Sequence, residues 1–396
     1  QISIVFLGDE SYTILFQIFS VDIVAGGVLS HLNSALLGLR KTKELSLMNV
    51  GYLLARGMLT VLFVLVTDPL KGLIIAWIVS DVIATTMLFA FTRFQLGPPT
   101  CSFTPSRLIR FSFPLYVQEA ATFAYGWFDR AMVLAYSSLS VAGVYFAATT
   151  ALGVVAGLPC AISATLLPAY SALHKGPRRE VLRDAIEGAS RYTCYVAAPL
   201  AFGLLATARP ALALFAGESY AEGTQPLVIL CLFFGLTLVS ATLGNIPLAI
   251  GNTALSLKIT AANVFVGVAF SLILVPYLQA IGAALAKGVA MLLGLSTTIV
   301  LLIREVDIAI DREAFSKSLF ASISMAAVVQ LAQLLFYDRF LLPIYVLMGG
   351  VTYLAALRWL HAIHISDTEL IRTFLGPRFE FAIRPFERFL TPQMRQ

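Results

Sequence analysis

The stretch Ala254–Ile303, ALSLKITAANVFVGVAFSLILVPYLQAIGAALAKGVAMLLGLSTTIVLLI, decides the fold class. Its only charged residues are Lys258 and Lys287. About 20 apolar residues suffice for a helix to cross the bilayer core, so this run holds two crossings, Ala254–Pro276 and Ile281–Ile303, parted at Pro276. The rest of the chain follows suit. Of 396 residues 59% are hydrophobic and 12% charged, against about 25% charged in a soluble globular chain. Too little polar surface remains for a fold that faces water on every side. The mean hydropathy of +0.86 agrees.

Working outward, apolar blocks bounded by polar residues or Pro and Gly predict nine further spans. They are Tyr12–Leu39, Leu45–Val66, Leu70–Phe91, Leu108–Tyr136, Val141–Tyr170, Tyr192–Thr207 (extending toward Phe215), Gln225–Ile250, Ser316–Phe336 and Phe340–Leu360. Alternate loops then differ sharply in Lys and Arg. One side receives about 20 of them, the other only Lys71, Arg209 and Arg339. The positive-inside rule places the rich side, and with it the C-terminus, in the cytoplasm. A missed or invented span would scramble this alternation downstream. The insert His174–Arg191 has a helical apolar period and reads as an amphipathic helix on the membrane surface. The tail 363–396 alternates Arg with Phe and Leu, a pattern suited to an anionic leaflet.

Charge within a span is expensive and marks function by default. Asp22, Arg56, Asp81, Glu119, Asp129, Arg130 and Lys287 fall inside the predicted spans. Arg56, Arg130 and Lys287 are candidate cations for a phosphate or pyrophosphate, where a guanidinium offers two parallel bonds and an ammonium a point charge. Asp22, Asp81 and Glu119 are candidate carboxylates for a coupling proton or cation. Structural ion pairing, Asp22 with Arg56 or Asp129 with a neighbouring cation, is the competing explanation. Pro114, Pro159, Pro199 and Pro247 each remove a backbone donor and are expected to kink a helix. Enzymatic chemistry finds no support: there is no phosphate-binding Gly-rich loop ending in Lys-Ser or Lys-Thr. No Cys/His cluster has metal-ligand spacing, and the four cysteines form no framework. Nothing resembles a nucleic-acid-reading face.

The run Arg110–Leu173 carries Phe111 with Pro114 and Leu115, Asp129-Arg130, Gly143 with Tyr145, and Leu166-Leu167-Pro168. A second run, Ile246–Ala290, carries Gly251-Asn252, Asn263, Pro276 and Gly282-Ala283-Ala284. In order and spacing these resemble the Wzx-type polysaccharide-biosynthesis flippases of the multidrug/oligosaccharidyl-lipid/polysaccharide (MOP) exporter superfamily. The resemblance covers all but the tail. It implies an all-α polytopic membrane protein, a two-lobe bundle like that of the multidrug (MATE) exporters, with about 11 of 14 transmembrane helices present and the first three lacking. It divides the chain into a partial N-terminal lobe (1–92), a six-helix C-terminal lobe (107–303), two additional helices (314–362) and a basic cytoplasmic tail (363–396). The implied activity is flipping of a polyprenyl-(pyro)phosphate-linked oligosaccharide from the cytoplasmic to the outer leaflet of the cell membrane, without a cofactor and coupled to a proton or sodium gradient. Implied partners are the lipid-linked oligosaccharide, membrane lipids and a polysaccharide polymerase or glycosyltransferases, with no nucleic acid. A cation-coupled drug antiporter of the same superfamily and a non-transporting scaffold of a glycan-synthesis complex are the alternatives.

Overall fold

A computed structural model describes residues 13–39, 41–95, 105–174 and 179–362, and all its regular elements there are helical. The basic tail lies outside the described residues. Among the described residues eight helices are long and apolar enough to cross a membrane, or nine if one bent pair counts as a span. The chain is an all-α polytopic membrane protein. It divides into two compact units, Gln1–Phe103 and Thr104–Gln396.

The first unit holds α1 (Thr13–Gly38), α2 (Thr42–Val66) and α3 (Pro69–Gln95). Thr67 stops α2 by turning extended, and its hydroxyl caps the Phe63 carbonyl at 2.6 Å. Pro69 opens α3, where its missing N–H costs nothing. Gly72 lets α3 begin tightly against α2: a Cβ there would sit 2.5 Å from the Phe63 carbonyl oxygen. The third helix packs along both others, whereas α1 and α2 touch little. That unequal packing leaves a cleft between α1 and α2.

The second unit begins with α4 (Pro105–Tyr136), α5 (Leu139–His174) and α6 (Arg179–Ala206). After a 76° bend at Thr207 comes α7 (Ala208–Phe215), then a 3-10 turn, Glu218–Gly223. Next are α8 (Thr224–Leu236), the short α9 (Ser240–Gly244) and α10 (Ile246–Ala249), and the 50-residue α11 (Thr253–Leu302). The chain ends its described part with α12 (Arg312–Leu335) and α13 (Leu342–Trp359).

Continuous as its backbone bonds are, α11 is two antiparallel spans. Gln279 has φ 49° and ψ −123°, and there the chain reverses. The proof lies in what faces what. A Cβ at Gly282 would meet the Leu274 carbonyl oxygen at 2.4 Å, and one at Gly294 would meet the Asn263 amide at 2.9 Å. Both pairs are symmetric about the turn. Gly282→Ala should therefore destabilise by about 1–3 kcal/mol, since its obstacle is backbone that cannot step aside. Gln279→Gly should do the opposite by about 1 kcal/mol, because glycine occupies that backbone region without strain. Thermal unfolding in detergent of both variants checks the opposite signs.

Two expectations are corrected. The segment from Arg179 is no separate surface helix but the first half of α6. Its apolar stripe, Leu182, Ile186 and Ala189, is buried against Tyr170, Leu243, Ile246 and Leu302. The amphipathic period was real, and protein rather than lipid covers it. Pro114, Pro159 and Pro199 do lie inside helices, as does Pro168. Pro247, by contrast, kinks nothing: it sits in the first turn of α10, where the span predicted over Gln225–Ile250 is broken into α8, α9 and α10.

Loops that the charge count assigned to one face meet each other. At one end Arg209 lies over the Tyr337 ring (4.8 Å) and Arg339 pairs with Glu218 (3.2 Å). At the other, Arg183 pairs with Asp307 (3.3 Å) and Arg191 with Asp311 (2.6 Å), while the Lys317 ammonium donates to the His361 carbonyl. Between these ends the interfaces are rich in alanine and glycine (Ala283, Ala284, Ala148, Gly267), which lets backbones approach.

Candidate functional site

In the first unit the three helices bring Asp22, Arg56 and Asp81 together. Asp81 of α3 is 5% exposed and accepts from the Tyr52 hydroxyl at 2.6 Å and from the Arg56 guanidinium at 3.3 Å. Arg56, one turn beyond Tyr52 on α2, also donates to that hydroxyl, and its guanidinium lies over the Trp77 ring at 4.6 Å. Asp22 of α1 interacts with both Asp81 and Arg56, yet its buried Oδ1 has no hydrogen-bond partner. A second carboxyl, Asp22, thus lies beside the Arg56–Asp81 pair inside apolar helices. The expected partner for Arg56 was Asp22, but the direct ion pair goes to Asp81, because α3, not α1, packs along α2. The Tyr52 hydroxyl completes a bridge between the charges. Tyr52→Phe removes one donor from a buried carboxylate and should cost about 1–3 kcal/mol, read as earlier thermal unfolding.

In the second unit Asp129 of α4 is fully buried. It receives the Lys287 ammonium and the Tyr145 hydroxyl, each at 2.9 Å. These come from the returning span of α11 and from α5, so one carboxylate ties three helices together. Its neighbour Arg130 is held differently. The guanidinium lies over the Phe146 ring at 4.6 Å and the Trp127 ring at 5.2 Å, and its Nε has no partner. Among the described residues Arg130 has no carboxylate within salt-bridge distance. It is a half-buried cation that, among the described residues, meets aromatic rings rather than a carboxylate.

The candidate residues therefore sort by geometry. Arg56 and Lys287 are occupied by carboxylates of their own unit, and Arg130 is open. Asp22 and Asp81 meet; Glu119 lies on an exposed face of α4 and joins neither cluster. Its neighbour Gln118 does engage, accepting from Ser256 at 2.6 Å. Tyr52 and Trp77 were not foreseen, and Tyr145, named as a motif residue, was not linked to Asp129. The four-residue spacing from Tyr52 to Arg56 could have shown the first. No local spacing could have linked Tyr145 to Asp129.

A family model described as polysaccharide biosynthesis protein matches residues 1–225. Among solved structures, the lipid II flippase MurJ in an inward closed conformation is similar in fold, with a TM-score of 0.67 over 91% of this chain and 74% of that one, at 16% identity. No curated protein matches the sequence.

Proposed function

This chain belongs to the polysaccharide biosynthesis protein family, and from that premise we propose that it flips a polyprenyl-(pyro)phosphate-linked oligosaccharide from the cytoplasmic to the outer leaflet. Arg130 carries the proposal. A guanidinium inside a membrane bundle is costly unless an anion answers it, and here two aromatic rings hold it in place while Lys287 takes the nearby carboxylate. The planar fork suits the paired oxygens of a phosphate. Arg56 and Lys287, being paired, serve to order helices rather than to seize the anion first. No bond is made or broken; the protein lowers the cost of taking a polar head through hydrocarbon.

The Asp22–Asp81 pair supports gradient coupling. One guanidinium cannot neutralise two carboxylates in an apolar bundle, and a proton or sodium ion would supply the missing charge. The direction is the one the family resemblance implies, and the Lys and Arg asymmetry of the loops supports a cytoplasmic C-terminus. The similar fold of a lipid II flippase is consistent with a lipid-linked cargo. Native mass spectrometry of the purified protein tests the cargo. A polyprenyl-pyrophosphate-linked oligosaccharide should stay bound where a lipophilic cationic drug does not. Retention of the drug alone would replace this reading with antiport.

A further inference from the structure

Tyr52 and Arg56 both bond to the same oxygen of Asp81, its Oδ1. The other oxygen, Oδ2, is turned toward α1, where a Cβ on Gly26 would sit 3.5 Å from it. Asp22 stands one turn from Gly26 on the same face of α1. Thr85 of α3 ties the two helices at that level, donating to the Ala25 carbonyl at 3.2 Å. Asp22 is only 9% exposed, and its buried Oδ1 has no hydrogen-bond partner. An ionised carboxylate left so inside a membrane bundle is costly. A carboxylic acid costs far less, because it is neutral and its O–H can donate.

We infer that Asp22 and Asp81 form a proton-binding site, in which one proton carried by Asp22 is shared with Oδ2 of Asp81. The inference names the ion and its seat, and rests on the gradient-coupled flippase reading for what that proton drives. The ionisable groups around Asp22 are Arg56 and Tyr52 from α2 and Asp81 from α3. With both carboxyls ionised this group carries one negative charge in excess, and a single proton removes it. Sodium fits poorly. A hard cation is held by a shell of oxygens, but the Tyr52 oxygen already accepts from Arg56, whose positive charge lies against the same carboxylate. The cleft between α1 and α2, of about 390 Å³, reaches Asp81 and gives the proton a route. Three leucines wall part of it, while Ser30, Asn33 and Ser34 set polar atoms along it. The buried Oδ1 of Asn33 has no partner, as a site for water requires. An O–H bond forms on Asp22 as one breaks in hydronium within the cleft, and release returns the proton to water.

Infrared spectroscopy of the full chain in phosphatidylethanolamine/phosphatidylglycerol vesicles, with no cargo present, tests this. At about pH 7, where an ordinary aspartate is ionised, the protein should show the C=O band of a protonated carboxyl. The band should shift when the aspartate carboxyls are isotopically labelled. It should disappear in Asp22→Asn and remain in Glu119→Gln. Asp81→Asn should also remove it, because Asp22 is then the one carboxylate left beside Arg56. Replacing potassium with sodium in the buffer should leave it unchanged. Absence of the band, a band that does not shift on labelling or survives in Asp22→Asn, or its loss to sodium overturns the inference. The labelling and sodium arms use the unmutated chain, so they decide the matter even where a variant fails to fold. Flipping measured on the same vesicles separates the two readings. Acceleration by an imposed proton gradient should be lost in Asp22→Asn, and acceleration that persists there overturns the coupling role. Flipping without the band sinks the proton site and spares the flippase; the band without flipping does the reverse.

Discussion

Replacing Arg130 with glutamine slows flipping of a lipid-linked oligosaccharide by about 10- to 100-fold and leaves the protein folded. The magnitude follows from what is lost. A hydrogen bond from a charged group contributes about 1.5–3 kcal/mol, and each 1.4 kcal/mol is a factor of about ten. The survival of the fold follows from what is not lost. Arg130 has no carboxylate partner among the described residues, so its removal strands no buried counter-charge. Only its stacking over Phe146 and Trp127 goes, about 0.5–2 kcal/mol. Arg130→Lys should fall between, keeping the charge but not the planar fork. Flipping rates set beside detergent melting curves check both halves. A melting collapse in Arg130→Gln would show the residue to be structural.

Asp129→Ala should give the opposite signature: a loss of about 3–5 kcal/mol of stability, the range for breaking a buried pair from one side. Asp129 is fully buried, and Lys287 and Tyr145 both converge on it from other helices. Without it the Lys287 ammonium is left in an apolar bundle with nothing to neutralise it. Adding Lys287→Met should recover most of the loss, because the stranded charge rather than the missing contact dominates the cost. A double-mutant cycle by chemical unfolding measures this directly. If the double variant is no more stable than Asp129→Ala alone, the stranded Lys287 charge is not what dominates the cost.

How much of this was legible beforehand varies from residue to residue. The spans were readable because hydrocarbon imposes a length and a composition on each crossing. The break between Pro276 and Ile281 brackets the reversal at Gln279. Loop pairing was readable because one charge bias alternates along the whole chain, and Arg339–Glu218 and Arg191–Asp311 join loops assigned to common faces. The identity of the costly charges was also visible, since any ion in an apolar run stands out. What paired with what was not. Arg56 takes Asp81 rather than Asp22 because α3 packs along α2, a fact of tertiary geometry. The stripe of α6 showed its period but not its covering: Leu182 and Ile186 face protein, where lipid headgroups were expected. Pro247 looked like the other prolines in sequence, and only the broken chain around it shows a helix start.

The most direct measurement is flipping itself. The full chain is reconstituted in liposomes with a fluorescent polyprenyl-pyrophosphate-linked oligosaccharide, and the rate at which inner-leaflet lipid becomes accessible to an external glycosidase is followed. Protein-free liposomes and Arg130→Gln serve as controls, with proton and sodium gradients imposed in turn. Exposure that depends on the protein, and that falls at least tenfold in Arg130→Gln, is the predicted result. Exposure no faster than in protein-free liposomes, across several lipid-linked glycans and both gradients, would contradict it.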